Sequence, residues 1–126
     1  MQPADLASPG CCFALCVQSR KDLTVLELRP NCELCDKDLP PESTEACICT
    51  YECTFCSNCV EKVLKNVCPN CGGGFVPRPI RPKYEHRPGE GFSNHPASTK
   101  RRNTKYSHEE ILEFCNFLKD IAPEDR

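Results

Sequence analysis

Eight cysteines in the middle of the chain have the spacing of metal ligands. Two or three residues separate the members of each pair, which allows a tight turn to direct both sulfurs at one point. Zinc takes four such ligands in a tetrahedron, with Zn–S bonds of roughly 2.3 Å. Eight thiolates therefore predict two closed sites with no open position for water, and closed sites are structural rather than catalytic. In chain order the cysteines are Cys32, Cys35, Cys49, Cys53, Cys56, Cys59, Cys68 and Cys71.

Three other uses of these thiols stay open. An iron–sulfur cluster also takes four cysteines, but two regular sets without a ferredoxin-like run favour zinc. A redox-active Cys-x-x-Cys belongs beside a strand–helix–strand pattern, which this sequence lacks. A disulfide framework would pair every cysteine, whereas the total of 13 is odd. We therefore expect two zinc ions as cofactors.

The composition agrees with a fold that depends on metal. The 126 residues include 13 cysteines and 12 prolines, but only six Phe, three Tyr and no Trp. Such a chain has little material for an apolar core, and small domains of this kind usually need disulfides or metal. The start, MQPADLASPGCCFALCVQSRKD, lacks the apolar stretch of a secretion signal, and no run is long enough to span a membrane. We expect a reducing, cytoplasmic setting.

The sequence predicts a short extension followed by a folded module. Residues 1–23 carry Cys11, Cys12 and Cys16 without a sustained period, so we expect a poorly ordered extension with free cysteines. Residues 24–76 hold all the paired cysteines and predict the two-zinc module. Between its last two pairs lies a short predicted helix, capped by Asn58 with Glu61. The apolar residues of this helix recur at helical spacing and are Val60, Val63, Leu64 and Val67.

The C-terminal part of the chain predicts a linker and a second helix. Residues 77–106 contain five prolines and two glycines, which indicates an extended linker. Residues 107–122 form an amphipathic helix in this prediction, because Ser107 and Glu110 make a capping box and Pro123 marks a stop. Its apolar positions are Ile111, Phe114, Cys115, Leu118 and Ile121.

Charge is distributed unevenly between these segments. The linker has eight basic and two acidic residues, a net charge of +6, whereas the module has four basic and eight acidic residues, a net charge of −4. Eight thiolates with two zinc ions would make the module more negative still. This disfavours the module as a nucleic-acid surface and leaves the linker as the segment that could contact nucleic acid.

The order of the cysteines resembles that of a RING finger: C-x2-C, a gap, C-x3-C-x2-C-x2-C, a short helix, then C-P-x-C. Cys53-Thr54-Phe55-Cys56 matches the His-x-Phe-Cys of that family, with cysteine in place of histidine. The resemblance implies an α+β, treble-clef-like cross-brace, in which the first and third pairs bind one ion. Site one would be Cys32, Cys35, Cys56 and Cys59, and site two would be Cys49, Cys53, Cys68 and Cys71.

Three further residues acquire roles from this resemblance. Leu34 and Pro69 occupy positions where RING ubiquitin ligases contact their conjugating enzyme, although a turn-forming role is the simpler interpretation of both. Cys47 precedes Cys49 by two residues, and only Cys49 keeps the required spacing to Cys53. We therefore expect Cys47 to be dispensable for metal binding.

A closer similarity covers more of the chain. The stretches LELRPNCELCDKDLPPES, ECTFCSNCVEKVL, CPNCGGGFVPRPIRP and HPASTKR resemble a family of short, mainly bacterial proteins known only as a domain of unknown function. The similarity runs from about Leu26 to Arg102, with a looser stretch at residues 83–94. The first 23 residues and the final helix depart from the family pattern.

These observations favour a structural zinc module that binds another protein and has no catalytic site. No carboxylate pair, Ser/His/Asp set or phosphate loop is apparent. Two alternatives stay open, a ubiquitin-ligase-like adaptor and a nucleic-acid binder acting through the basic linker. Discharge of a loaded conjugating enzyme would favour the first alternative, and steep salt dependence of binding would favour the second.

Overall fold

The computed structural model describes residues 25–126, which form a small α+β fold, as the sequence predicts. The sheet has three antiparallel strands in the order β2-β1-β3, where β1 is Ala46–Ile48, β2 is Thr54–Cys56 and β3 is Val76–Pro77. Cys47 of β1 pairs with Phe55 on one side and with Pro77 on the other. Beyond the two strands the backbone N–H of Cys49 donates to the Cys53 carbonyl, and β2 ends at Cys56, so this hairpin positions one cysteine pair and the start of the next.

A short helix follows β2 directly. Helix α1 spans Ser57–Cys59 and continues without a break as a π-helical segment, Val60–Leu64. The helix begins two residues before the predicted start, with Cys56 at the N-cap position and no side-chain cap, so the predicted capping by Asn58 and Glu61 is wrong. Its end is marked by Lys65 and Asn66, which both have positive φ angles.

The apolar core lies between helix α1, the sheet and the cysteines. Phe55 is fully buried and meets the ring of Phe75 edge to face, with centroids 5.4 Å apart. Leu64 and Val67 are also fully buried, and Leu39 is 1% exposed. The predicted apolar face of helix α1 therefore packs inward, while the cysteines complete a core that has few bulky side chains.

Residues 77–106 have little regular structure, but they lie against the module. The guanidinium of Arg78, 4% exposed, donates to the carbonyls of Arg29 and Pro40 at 2.9 Å each. Farther along, the backbone N–H of Ser98 donates to the Leu28 carbonyl at 3.0 Å. Residues 77–106 therefore lie along the surface of the module, because their side chains and amides find carbonyl partners there, and residues 83–95 among them form bends and turns.

Helix α2 spans His108–Leu118, and the predicted capping box of Ser107 and Glu110 is present. The helix ends four residues before the predicted boundary, and a 3-10 turn follows at Pro123–Asp125. Two side chains of α2, Ile111 at 1% and Cys115 at 2% exposed, are buried against the module. Helix α2 therefore covers part of the module.

Candidate metal centres

Four thiols from distant parts of the chain meet in the first group, which we call group one. The sulfurs of Cys32, Cys35, Cys56 and Cys59 all lie within 4.8 Å of one another. The Sγ atoms of Cys35 and Cys56 are 3.7 Å apart. A tetrahedron with Zn–S bonds of roughly 2.3 Å has sulfurs about 3.8 Å apart, so this spacing fits a zinc ion.

Other cysteines form a second group of thiols, group two. The sulfurs of Cys49, Cys68 and Cys71 lie within 4.8 Å of one another. Cys53 stands beside this trio, and its thiol interacts with those of Cys49 and Cys68. The structure therefore brings three of the four predicted site-two cysteines together and places the fourth next to them.

The first and last Cys-x-x-Cys turns share one backbone conformation. In the first turn, the N–H of Asp36 donates to the Cys32 carbonyl and the N–H of Cys32 donates to the Lys37 carbonyl, both at 2.8 Å. In the last turn, the equivalent bonds join Gly72 to Cys68 at 2.7 Å and Cys68 to Gly73 at 2.8 Å. Asp36 and Gly72 both have positive φ angles, 65° and 86°. Each turn therefore bends the chain sharply after its second cysteine, and a glycine suits that position in the last turn.

Backbone amides point at several of the sulfurs. The N–H of Cys35 donates to Cys32 Sγ at 3.5 Å, and the N–H of Tyr51 donates to Cys49 Sγ at 3.3 Å. In the last turn the N–H of Gly73 donates to Cys71 Sγ at 3.4 Å. Hydrogen bonds of this kind favour a thiolate over a thiol, so both groups are prepared for negatively charged sulfur.

Negative charge is shared unequally among the thiols of group two. Hydrogen bonds from the Cys53 and Cys68 thiols lower the pKa of Cys49 to about 3, although burial opposes this shift. Contacts with the Cys49 and Cys53 sulfurs, together with burial, raise the pKa of Cys68. In group one, burial raises the pKa of Cys59. A bound cation would favour the thiolate form of all these cysteines, including those whose pKa is raised, because a coordinated thiol loses its proton outright.

The two groups draw their cysteines from the chain in alternation. Group one combines the first pair with the third, and group two combines Cys49 of the second pair with the last pair. The third pair, Cys56 and Cys59, flanks the start of helix α1, where the helix dipole favours negatively charged sulfur. The groups can hold two metal ions, while the identity of the metal and the ligand role of each cysteine stay predictions.

The other cysteines of the described part of the chain stand outside both groups. All ten cysteines within residues 25–126 are free thiols. Cys47 is partly exposed on strand β1, with its Sγ 3.9 Å from the Glu45 carbonyl. Cys115 is buried on helix α2. The predicted extension with Cys11, Cys12 and Cys16 lies outside the described residues.

The two predicted partner-contact residues differ in exposure. Leu34 is partly buried and packs against the core, whereas Pro69 is buried in the last turn. Pro69 forms part of a groove that helix α2 borders with Phe114 and Phe117. The chain's own helix therefore occupies much of the surface around Pro69.

Comparison with known proteins places this cysteine arrangement in a family. A family model described as "Protein of unknown function (DUF1272)" matches residues 25–81. An uncharacterized protein of Rhizobium meliloti (strain 1021) is 54% identical to this chain over 77 residues, which cover 61% of this chain and 84% of that protein. The chain belongs to the DUF1272 family. All eight paired cysteines lie inside the DUF1272 match, so both thiol groups belong to the part that defines the family.

No solved structure matches the chain significantly. Among the helices of residues 25–126, none has the length and apolar character needed to cross a membrane.

Two residues of this DUF1272 protein have central positions that the spacing of cysteines did not predict. Glu33 lies inside the first cysteine turn and is 4% exposed, and Arg78 lies in the predicted linker and is equally buried. The sequence contains one signal for Glu33, namely a carboxylate between two closely spaced cysteines. For Arg78, no local sequence pattern predicts burial, because its partners are backbone carbonyls of residues 38 or more positions away.

Proposed function

We propose that this DUF1272 protein is a structural zinc-binding module with a RING-like cross-brace that presents a surface to another protein. The observation that carries the proposal is the alternating convergence of the cysteine pairs into two groups. A metal ion in each group would join segments that are distant in the chain. In proteins with few apolar side chains, binding energy of roughly 10–16 kcal/mol per structural zinc appears as folding energy.

The residues of each group have distinct roles in this proposal. The two matching turns supply Cys32 with Cys35 and Cys68 with Cys71 in a fixed backbone conformation. Cys53 directly precedes strand β2 and Cys56 is its last residue, one for each ion. When bound, zinc holds four thiolates in a closed tetrahedron and offers no position for water. The proposed function is therefore scaffolding rather than catalysis.

The proposed docking surface is the groove between helix α2 and the last cysteine turn. It has a volume of about 470 Å³ and is bordered by Tyr106, Phe114 and Phe117. Phe117 is 73% exposed, which is unusual for a large aromatic side chain. Exposed aromatic residues next to a concave surface are typical of protein contacts.

The charge around this groove indicates the chemistry of its partner. Glu110 and Glu113 stand at the edge of the aromatic surface. A peptide segment that combines an apolar side chain with lysine or arginine would satisfy both the aromatic walls and the carboxylates. We therefore propose a partner protein with such a segment.

The two other functions that the sequence allowed receive less support. A ligase-like adaptor needs the surface at Pro69, which is buried next to helix α2. A nucleic-acid binder needs free cations in residues 77–106, but Arg78 and Arg81 donate to backbone carbonyls. Arg101 likewise pairs with Asp36 and Asp38.

Metal content of the purified full chain tests the first half of the proposal. We expect two zinc ions per chain by elemental analysis, and their loss with Cys32→Ser or Cys68→Ser at one site each. Iron in place of zinc, or a chain that folds without metal, would overturn the proposed scaffold.

Selection from a random peptide library on the zinc-loaded chain tests the second half. We expect binders that combine apolar and basic residues, and at least tenfold weaker binding to Phe117→Glu. Leu112→Glu is the matched control, because Leu112 is also exposed on helix α2 but lies outside the groove. If Phe117→Glu instead converts a dimer of the unmodified chain to a monomer, the surface joins two copies and the peptide partner is excluded.

A further inference from the structure

A buried carboxylate joins the two candidate metal centres. Glu33 lies between Cys32 and Cys35 of group one, and its side chain is 5% exposed. A buried carboxylate is costly unless charged or polar groups pair with it. The donors that satisfy Glu33 come from three separate segments, and two of those segments carry cysteines of group two.

One carboxylate oxygen holds strand β2. The backbone N–H of Thr54 donates to Glu33 Oε2 at 2.9 Å, and the backbone N–H of Glu33 donates to the Thr54 carbonyl at the same distance. Thr54 is fully buried and directly follows Cys53, which stands beside group two. Thr54 also precedes Cys56 of group one by two residues. Glu33 therefore fixes the strand that serves both groups.

The other carboxylate oxygen reaches the last cysteine turn. The side-chain amide of Asn70 donates to Glu33 Oε1 at 3.2 Å, and Asn70 lies between Cys68 and Cys71. The hydroxyl of Thr104 donates to Asn70 Oδ1 at 2.9 Å, while the backbone N–H of Thr104 donates to the Glu33 carbonyl. These bonds close a triangle between the first turn, the last turn and the segment before helix α2.

Charge on the carboxylate is balanced by Arg29. Its Nη1 atom lies 2.7 Å from Glu33 Oε2, and its side chain is 13% exposed. The charge-assisted bond is stronger than a neutral one and holds the carboxylate in place between its other donors. Glu33 thus has a fixed position relative to both cysteine turns.

We infer that Glu33 is a positioning residue that couples metal binding at the two centres. Ordering the first turn around one ion holds the Glu33 carboxylate against Thr54 and Asn70, which in turn orders the cysteines of the other centre. Coupling between sites is reciprocal, so either ion strengthens binding of the other. The inference rests on the proposed two-metal function.

A double-mutant cycle on the full chain tests this coupling. Cadmium, which binds thiolates and gives a separate NMR signal at each site, is titrated against a competing chelator. The cycle compares the unmodified chain, Cys35→Ser, Glu33→Gln and the double variant. Glu33→Gln keeps the size of the side chain but replaces one carboxylate oxygen with an NH₂ group. That group cannot accept a hydrogen bond from Thr54 or Asn70.

We expect Cys35→Ser to weaken cadmium binding at group two by about fivefold to 150-fold in the unmodified chain. In the Glu33→Gln background the same substitution should change binding at group two by less than about twofold. Glu45→Gln is the control, because Glu45 pairs with Lys37 at the surface with half its side chain exposed. The control should retain the full effect of Cys35→Ser.

The outcomes separate the inference from the proposed function. An equal effect of Cys35→Ser in both backgrounds would overturn the role of Glu33 and leave the two-metal module standing. A chain that binds no cadmium would overturn the proposed function itself. If Glu33→Gln does not fold, Asn70→Ala takes its place in the cycle, because it removes the link to the last turn and leaves Arg29 and Thr54 paired with Glu33.

Discussion

The thiol of Cys115 on helix α2 donates to the backbone carbonyl of Val67 at a distance of 3.6 Å. Val67 directly precedes Cys68, the first cysteine of the last turn. The C-terminal helix is therefore attached one residue away from a candidate metal ligand. Burial raises the pKa of Cys115, so this thiol stays protonated and packs as a small apolar side chain.

Separate substitution of Cys47 and Cys49 distinguishes a metal ligand from a nearby cysteine that does not bind metal. We expect Cys49→Ser to lose one of two zinc ions, because Cys49 lies within the second thiol group. Cys47→Ser should retain both ions, because Cys47 lies outside both groups and is partly exposed. Elemental analysis of the two purified variants provides the measurement. Equal zinc content in the two variants would contradict the assignment.

Removal of metal should unfold helix α2 together with the module. The helix has 11 residues, and isolated helices of that length are marginal in water. Its stability depends on burying Ile111 and Cys115 against the module. In the proposed function, the module needs metal to hold its turns together. Circular dichroism during addition of a strong chelator should show loss of helical signal, and excess zinc should restore it. Persistence of the helical signal after complete metal removal would argue against this dependence.

Shortening Ile111 should loosen helix α2 more than shortening its neighbour. Ile111→Ala should lower the free energy of unfolding by about 2–5 kcal/mol, because a fully buried side chain leaves a cavity. Leu112→Ala provides the matched control, since Leu112 is 43% exposed, and should cost less than about 0.5 kcal/mol. Denaturant unfolding at a fixed zinc concentration measures both. Similar losses for the two variants would indicate that α2 does not pack as described.

Removal of the Arg78 guanidinium should destabilise the attachment of residues 77–106. Arg78→Met keeps an apolar stem but leaves the carbonyls of Arg29, Leu39 and Pro40 without this donor. We expect a loss of about 2 kcal/mol or more in the free energy of unfolding. Arg87→Met, at an exposed position of the same segment, should change stability by less than about 0.5 kcal/mol. Denaturant unfolding curves of Arg78→Met and Arg87→Met, measured at the same zinc concentration, test this prediction.

The features that sequence predicted are those with local causes. The capping box at Ser107 and the period of the following residues lie within a few positions of each other, and helix α2 follows from them. Cysteine spacing likewise predicted which turns bring sulfurs together. The alternating combination of the pairs came from resemblance to another family rather than from spacing alone.

The features that sequence did not predict depend on distant partners. The burial of Arg78 follows from three carbonyls that no local pattern identifies. The start of helix α1 at Ser57 follows strand β2, which ends at Cys56, so a cysteine occupies the N-cap position and makes no side-chain cap. The strands themselves are two or three residues long, too short for the alternation that identifies a strand.

The side chain of Asn31 forms hydrogen bonds with a residue 71 positions farther along the chain, so residues 31–102 form a closed circuit. Its amide donates to the Arg102 carbonyl at 2.8 Å and its carbonyl accepts from the Arg102 N–H at 3.1 Å. Asn31 itself has no solvent exposure. Arg101 adds ion pairs to the same turn. A single protease cut within residues 83–94, in the exposed part of the circuit, would therefore yield two fragments that stay associated. Such a nicked protein would run as two bands on a denaturing gel and as one particle in solution.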